Sequence, residues 1–207
     1  MGGEFSTFFS QFRQRFHDTG AIAPSSGALA MAITTPLRQN AGPATRVLEV
    51  GAGTGVFTQA IVALLAEGDR FDVYEINPAF RPFLECRMKS ARAGVECNLH
   101  IADLVRQPPQ SGYDFIVSGL PLNNFAPEEV EAILDLYMDL LRPGGVLSYF
   151  EYIALRGLKQ RLVGGEERRR LSEVAAVAGR FLRAHPSRAV PVAMNLPPAW
   201  ARHVVRA

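Results

Sequence analysis

Residues 47–58 read Val-Leu-Glu-Val-Gly-Ala-Gly-Thr-Gly-Val-Phe-Thr: an apolar run passes through three alternating glycines into a helical pattern. Glycine turns tightly and lets backbone approach a ligand with no Cβ in the way. Glu75 stands 20 residues beyond Gly55, at the end of the next apolar run, where a carboxylate can accept both hydroxyls of a ribose. A pyrophosphate-binding turn would read GxGxxG and keep a bare helix N-terminus close to the phosphates. Here the turn reads GxGxG, with Glu49 beside it. Asp103 follows the third apolar run, and Ser118-Gly-Leu-Pro-Leu-Asn-Asn-Phe125 follows the fourth.

These residues fall where strands give way to turns. Strands are expected over 46–50, 71–75, 95–101, 113–118 and 146–153, with helices over 56–65, 78–88 and 127–141 between them. Arg142-Pro-Gly-Gly145 reads as the turn ending the third helix. Helical segments then run to about Ala184, interrupted at Gly164-Gly165. Strands over 188–194 and 200–205, joined by Asn195-Leu-Pro-Pro198, suggest a closing hairpin. Ahead of the first strand, residues 5–16 read as an amphipathic helix. Gly20 to Ser26 reads as a turn, with Ser25 or Ser26 capping a short helix through Leu37. Strands alternating with helices imply an α/β domain with a mostly parallel sheet covered on both faces.

At 207 residues there is room for one such domain, with residues 1–40 as an N-terminal arm and 41–207 as the sheet domain. With 48% apolar and 20% charged residues, disorder, collagen-like repeats and disulfide scaffolds are excluded. Cys86 and Cys97 form no CxxC and lie near no histidine cluster, and His17, His100, His185 and His203 have no ligand spacing. The expectation is a reduced, cytoplasmic protein without structural metal. No apolar run is long enough for a membrane span, and the first residues lack an export signal.

The motifs together resemble a known family. Glu49 with the GxGxG turn resembles motif I, E/DxGxGxG, of the class I S-adenosylmethionine-dependent methyltransferases, whose ligand carries a cationic amine and sulfonium and so implies an acid beside the loop. The segments Gly20-Ala-Ile-Ala-Pro-Ser-Ser26, Gly119-Leu-Pro-Leu122 and Tyr149-Phe-Glu-Tyr152 resemble the soluble bacterial phospholipid N-methyltransferases, which convert phosphatidylethanolamine to phosphatidylcholine. The resemblance covers roughly residues 5–205. It implies a Rossmann-like fold with a seven-stranded, mostly parallel sheet and a C-terminal antiparallel hairpin. It implies S-adenosyl-L-methionine as cofactor, held by Ser25, Ser26, Glu49, Gly51, Gly53, Gly55, Glu75, Ile76, Asp103, Leu104 and Ser118. It places Asp103 beside the adenine and puts the acceptor amine near Gly119, Leu120 and Tyr152, with Tyr149 another candidate for orienting it. Where amine-methylating relatives carry N-L-P-Y, this chain has Gly119 for the asparagine and Leu122 for the aromatic, so no base-stacking ring is supplied there. Another aminolipid such as an ornithine lipid is the alternative substrate. Two rivals of other classes remain open: an RNA adenine methyltransferase, from the superfamily kinship, and a non-catalytic, membrane-associated cofactor-binding protein.

Phe5, Phe8, Phe9, Phe12 and Phe16 fall within an arc of about 100° on a helix, with Arg13 and Arg15 flanking it. The expected partner is an anionic membrane surface, with an aminolipid as substrate and no nucleic acid; the alternative is that the stripe docks on the protein's own core. Residues 46–155 hold 8 basic and 15 acidic side chains, whereas 156–207 hold 11 basic and 3 acidic. That basic third fits a polyanionic partner or a solvated helix face. Peripheral location on the inner face of the membrane is the corresponding expectation.

Overall fold

The computed structural model describes residues 27–152, 164–195 and 197–207; the helix expected over 5–16, the turn expected over 20–26 and the site candidates Ser25 and Ser26 lie outside them. Seven strands form one sheet: β1 (Arg46–Val50), β2 (Arg70–Glu75), β3 (Glu96–Ile101), β4 (Tyr113–Ser118), β5 (Leu141–Tyr152), β6 (Ser187–Val192) and β7 (Ala199–Val205). Their order across the sheet is β3-β2-β1-β4-β5-β7-β6. The first five run parallel, β7 pairs antiparallel with β5, and β6 antiparallel with β7. The Rossmann-like methyltransferase architecture and its closing hairpin are therefore as expected.

Near-continuous apolar strands such as Val47–Val50 are what a sheet covered on both faces requires. Their two-residue period divides the core. Leu48, Val50, Ile116, Leu147 and Tyr149 pack under helices α5 (Pro127–Leu140) and α6 (Gly165–Ala184), through Ile133, Tyr137, Val177 and Phe181. Val47, Phe71, Val73, Phe115 and Val117 face α1 (Gly27–Ile33), α2 (Thr35–Asn40), α3 (Val56–Val62) and α4 (Arg81–Met88), meeting Leu29, Ile33, Leu37, Phe57, Ile61 and Leu84.

Of the boundaries that differ from the expectations, three have a local cause. The helix through Leu37 is two helices that break at Thr34, because Pro36 has no N–H to donate and its ring would press on the carbonyl four residues back. Thr34 Oγ1 donates to Ala30 O at 2.7 Å and seals the first of them. Residues 78–88 begin as a 3-10 turn, Pro78–Phe80, in which the Asn77 side chain accepts from Ala79 N, before α4 starts. Arg142-Pro-Gly-Gly145 is not a free turn: α5 ends at Leu140 and β5 begins at once. Tyr113 pairs with Leu141 but Phe115 with Val146, so the extra residues bulge out of the ladder. A Cβ on Gly145 would sit 2.9 Å from both Arg142 O and Tyr113 O, which is why this bulge takes glycine.

Candidate functional site

The turns after β1 and β4 interlock, and glycine makes that possible. Gly119 N donates to Val50 O at 2.8 Å, and a Cβ on Gly119 would lie 2.4 Å from Gly51 O. Gly51 has φ +71°, and its own Cβ would lie 2.5 Å from Leu120 Cδ2. No side chain fits at 119 unless the two turns separate. Beneath them, Ser118 Oγ lies 2.9 Å from the Tyr137 hydroxyl and accepts from Leu120 N at 3.3 Å. Burial pushes ionisation of Tyr137 far upward, so this pair stays neutral.

Gly53 takes φ +55°, and nothing lies within 4 Å of where its Cβ would be. Its N–H donates to Glu75 Oε2 at 2.8 Å, while Asn77 N donates to Oε1 at 2.8 Å. Burial pushes the Glu75 carboxyl up, and the backbone N–H groups of Asn77, Gly53 and Ile76 draw it back. Each carboxylate oxygen has a second lone pair for a ligand hydroxyl. Gly55, at φ +80°, caps α3, and Arg87 Nε holds the neighbouring Thr54 O at 3.0 Å.

A crevice opens at the carboxyl ends of β1 to β4, the position at which open α/β sheets bind ligands. Gly51, Glu75, Ile76, Asp103, Leu104 and Leu120 line it, as do Tyr74, Val105, Phe125, Ile133 and Tyr137. Two carboxylates thus sit on one side of an otherwise apolar slot, an arrangement that suits a ribose and a flat heterocycle. Asp103 Oδ1 accepts from Val105 N at 2.9 Å, and Oδ2 is 3.5 Å from Arg106 Nε. His100 is not among the crevice-lining residues: its ring stacks on Tyr74, centroids 4.5 Å apart, and its Nε2 lies 3.5 Å from Asp72 Oδ1.

Six of the expected site residues therefore converge, and the others divide. Gly53 and Gly55 shape the loop without lining the crevice, and Ser118 supports its floor through Tyr137. Glu49 lies under the loop, fully buried, where Thr58 Oγ1 donates to its Oε2 at 2.7 Å. Its Oε1 has no hydrogen-bond partner among the described residues. Burial pushes the Glu49 carboxyl up to about 8. Gly119 contributes backbone and shape. Tyr152 stands apart from the crevice lining, its ring packed edge-on against Phe150 at 5.2 Å on the α1–α4 face of β5. Sequence reasoning passed over Tyr74, Ile133 and Tyr137. The apolar positions of β2 and α5 read simply as core, and only a strand-to-helix register could have aimed them at the slot.

The fit to S-adenosylmethionine rests on these features: the uncovered Gly53 backbone, Glu75 for the ribose, Asp103 beside the slot and the apolar walls. Residues 48–147, the segment that supplies almost all of them, match the family model described as a methyltransferase domain. The hybrid PKS-NRPS synthetase lepA of Aspergillus flavus is 30% identical over 146 residues, which is 66% of this chain but 4% of that protein. An ornithine lipid N-methyltransferase of Singulisphaera acidiphila is 29% identical over 148 residues, 70% of this chain and 76% of its own length. Among solved structures, the N-methyltransferase NodS from Bradyrhizobium japonicum, in complex with S-adenosyl-L-homocysteine, superposes with a TM-score of 0.63. That match covers 86% of this chain and 85% of the other at 17% identity, a likeness of fold.

Proposed function

We propose that this chain, which carries a class I methyltransferase domain with S-adenosylmethionine as its cofactor, methylates the primary amine of a membrane aminolipid. The observation that carries the reading is the likeness to an ornithine lipid N-methyltransferase over most of both chains, whereas the synthetase match spans 4% of its protein. Ornithine lipid and phosphatidylethanolamine both present the required group, a primary amine on a lipid.

Bound cofactor supplies an electrophilic methyl on a sulfonium. The amine nitrogen forms the new bond with its lone pair as the carbon–sulfur bond breaks, leaving S-adenosylhomocysteine. The amine must reach the site deprotonated, and the alkylammonium formed releases a proton before any second transfer. The protein's share is alignment and exclusion of water. Glu75 and Asp103 hold the nucleoside end, while Leu120, Phe125 and Ile133 wall the slot with apolar surface. The interlocked Gly51 and Gly119 leave no side chain at 119 to hold the nitrogen, so backbone oxygens of this turn are the orienting groups of this proposal. Leu122 is buried in the core and offers no stacking face, which weighs against a flipped adenine as acceptor.

The test is purified chain with S-adenosylmethionine and vesicles containing either ornithine lipid or phosphatidylethanolamine, with lipids read by mass spectrometry. Headgroups heavier by one or more methylenes are expected in at least one of the two. If both lipids stay unmodified while added ribosomal RNA gains methyladenine, the aminolipid reading fails and the RNA rival takes its place.

A further inference from the structure

We propose that Arg170, on α6, is a positioning residue for the cofactor crevice. It belongs to Arg168-Arg-Arg170 of the basic C-terminal third, but its side chain is only 27% exposed and reaches main-chain carbonyls. Nη1 donates to Phe125 O at 2.6 Å and Nη2 to Asn123 O at 2.9 Å. Nε and Nη2 also form a two-point fork with Glu167, at 2.8 and 2.7 Å. Four of the five guanidinium N–H groups are thus engaged, with Glu167 holding the plane in which they point.

The two carbonyls belong to the 3-10 turn Leu122–Asn124 and to Phe125, directly after the Gly119–Leu120 step. Phe125 is 2% exposed, and it lines the crevice beside Leu120. The turn is closed by Asn124 N donating to Pro121 O at 2.9 Å and Phe125 N to Leu122 O at 3.2 Å, and Leu122 and Phe125 are buried. Asn123 O and Phe125 O take no part in these bonds and are held by Arg170, from a helix 45 residues further along the chain. Its neighbours act differently: Arg169 is exposed and pairs with Glu173, and Arg180 pairs with Glu131 across the outer surface of α5 and α6. Arg170 therefore sets the distance between the Phe125 wall and the Glu75–Asp103 side of the slot. The inference rests on cofactor binding in this crevice and not on the identity of the acceptor.

Calorimetric titration of S-adenosylhomocysteine into the full chain tests it. R170Q removes the charge and the fork, and should raise Kd about tenfold with unchanged stoichiometry. R170K keeps the charge without the planar geometry and should remain weaker than wild type. R180Q loses an ion pair of the same helix and should bind as wild type does. If R170Q does not fold, E167Q, which leaves the arginine and frees its fork, should raise Kd in the same direction. A merely structural role would lower the stoichiometry, as part of the protein unfolds, and leave Kd within about twofold of wild type; that result overturns the proposal. A wild type that binds no S-adenosylhomocysteine overturns the cofactor assignment, and this inference with it.

Discussion

Glu49 and Gly119 are the two residues whose chemistry differs most from their motif roles. The motif makes Glu49 an acid beside a cationic ligand, yet it is 0% exposed and its carboxyl is pushed up to about 8 by burial, with the Thr58 hydrogen bonds opposing and the Glu75 charge adding to the rise. Near neutrality it therefore holds a proton in the folded protein that the unfolded chain, with an ordinary value of 4.5, has released. Stability from this group is complete below about pH 4.5, falls as pH rises, and levels off above about pH 8. Glu49→Gln keeps an oxygen for Thr58 Oγ1 to donate to and removes the proton from the balance. Urea midpoints measured at about pH 5 and about pH 8 should fall more steeply for wild type than for the variant. Parallel lines would mean that Glu49 does not titrate in that window. Gly119 teaches the reverse lesson: a position whose side chain would touch an acceptor in N-L-P-Y relatives has no room for one here. No sequence pattern reports a 2.4 Å approach to a carbonyl on another turn.

At the scale of elements, β1 and β4 fall where their patterns put them, since apolar runs bounded by turn residues leave little freedom in register. The start of β5 was not legible. Pro-Gly-Gly is turn chemistry, and only the sheet shows that β4 pairs with residues on both sides of the bulge. α6 was expected, but the inward turn of Arg170 was not, because its partners are main-chain carbonyls that any residue could supply. The bulge itself can be tested. Gly145→Ala would place a methyl 2.9 Å from two backbone oxygens, neither of which is a flexible side-chain end. The expected loss is about 1–3 kcal/mol, the usual range for overpacking a filled site. Denaturant titration should show a lower midpoint with an unchanged slope. An unchanged midpoint would mean that β5 can shift its bulge without cost.

Over the whole molecule, the basic C-terminal third is less free than its composition implies. Of its arginines, Arg169, Arg180 and Arg202 pair with Glu173, Glu131 and Glu151, Arg170 clamps a turn, and Arg206 reaches the carbonyls of Asp139 and Leu141. A paired charge draws anionic lipid more weakly than a bare one, and we propose that membrane attachment falls chiefly to the five phenylalanines of residues 5–16. Among the described residues no helix is long and apolar enough to cross a membrane. Leu29 and Ile33 of α1 are at 0% and Leu37 of α2 at 1% exposure among the described residues. On the proposal that the stripe meets the membrane, Phe8→Ser with Phe12→Ser should leave the melting temperature and S-adenosylhomocysteine affinity near wild type. The same double variant should no longer co-sediment with vesicles of phosphatidylethanolamine and phosphatidylglycerol, which wild type should do. Raising the salt should weaken wild-type binding without abolishing it, because five phenylalanines bury apolar area that salt does not screen. A double variant that unfolds would assign the stripe to the protein's own core. One that stays folded and still sediments would move the membrane contact elsewhere on the molecule, with the exposed Met31 and Met194 as the next surface to alter.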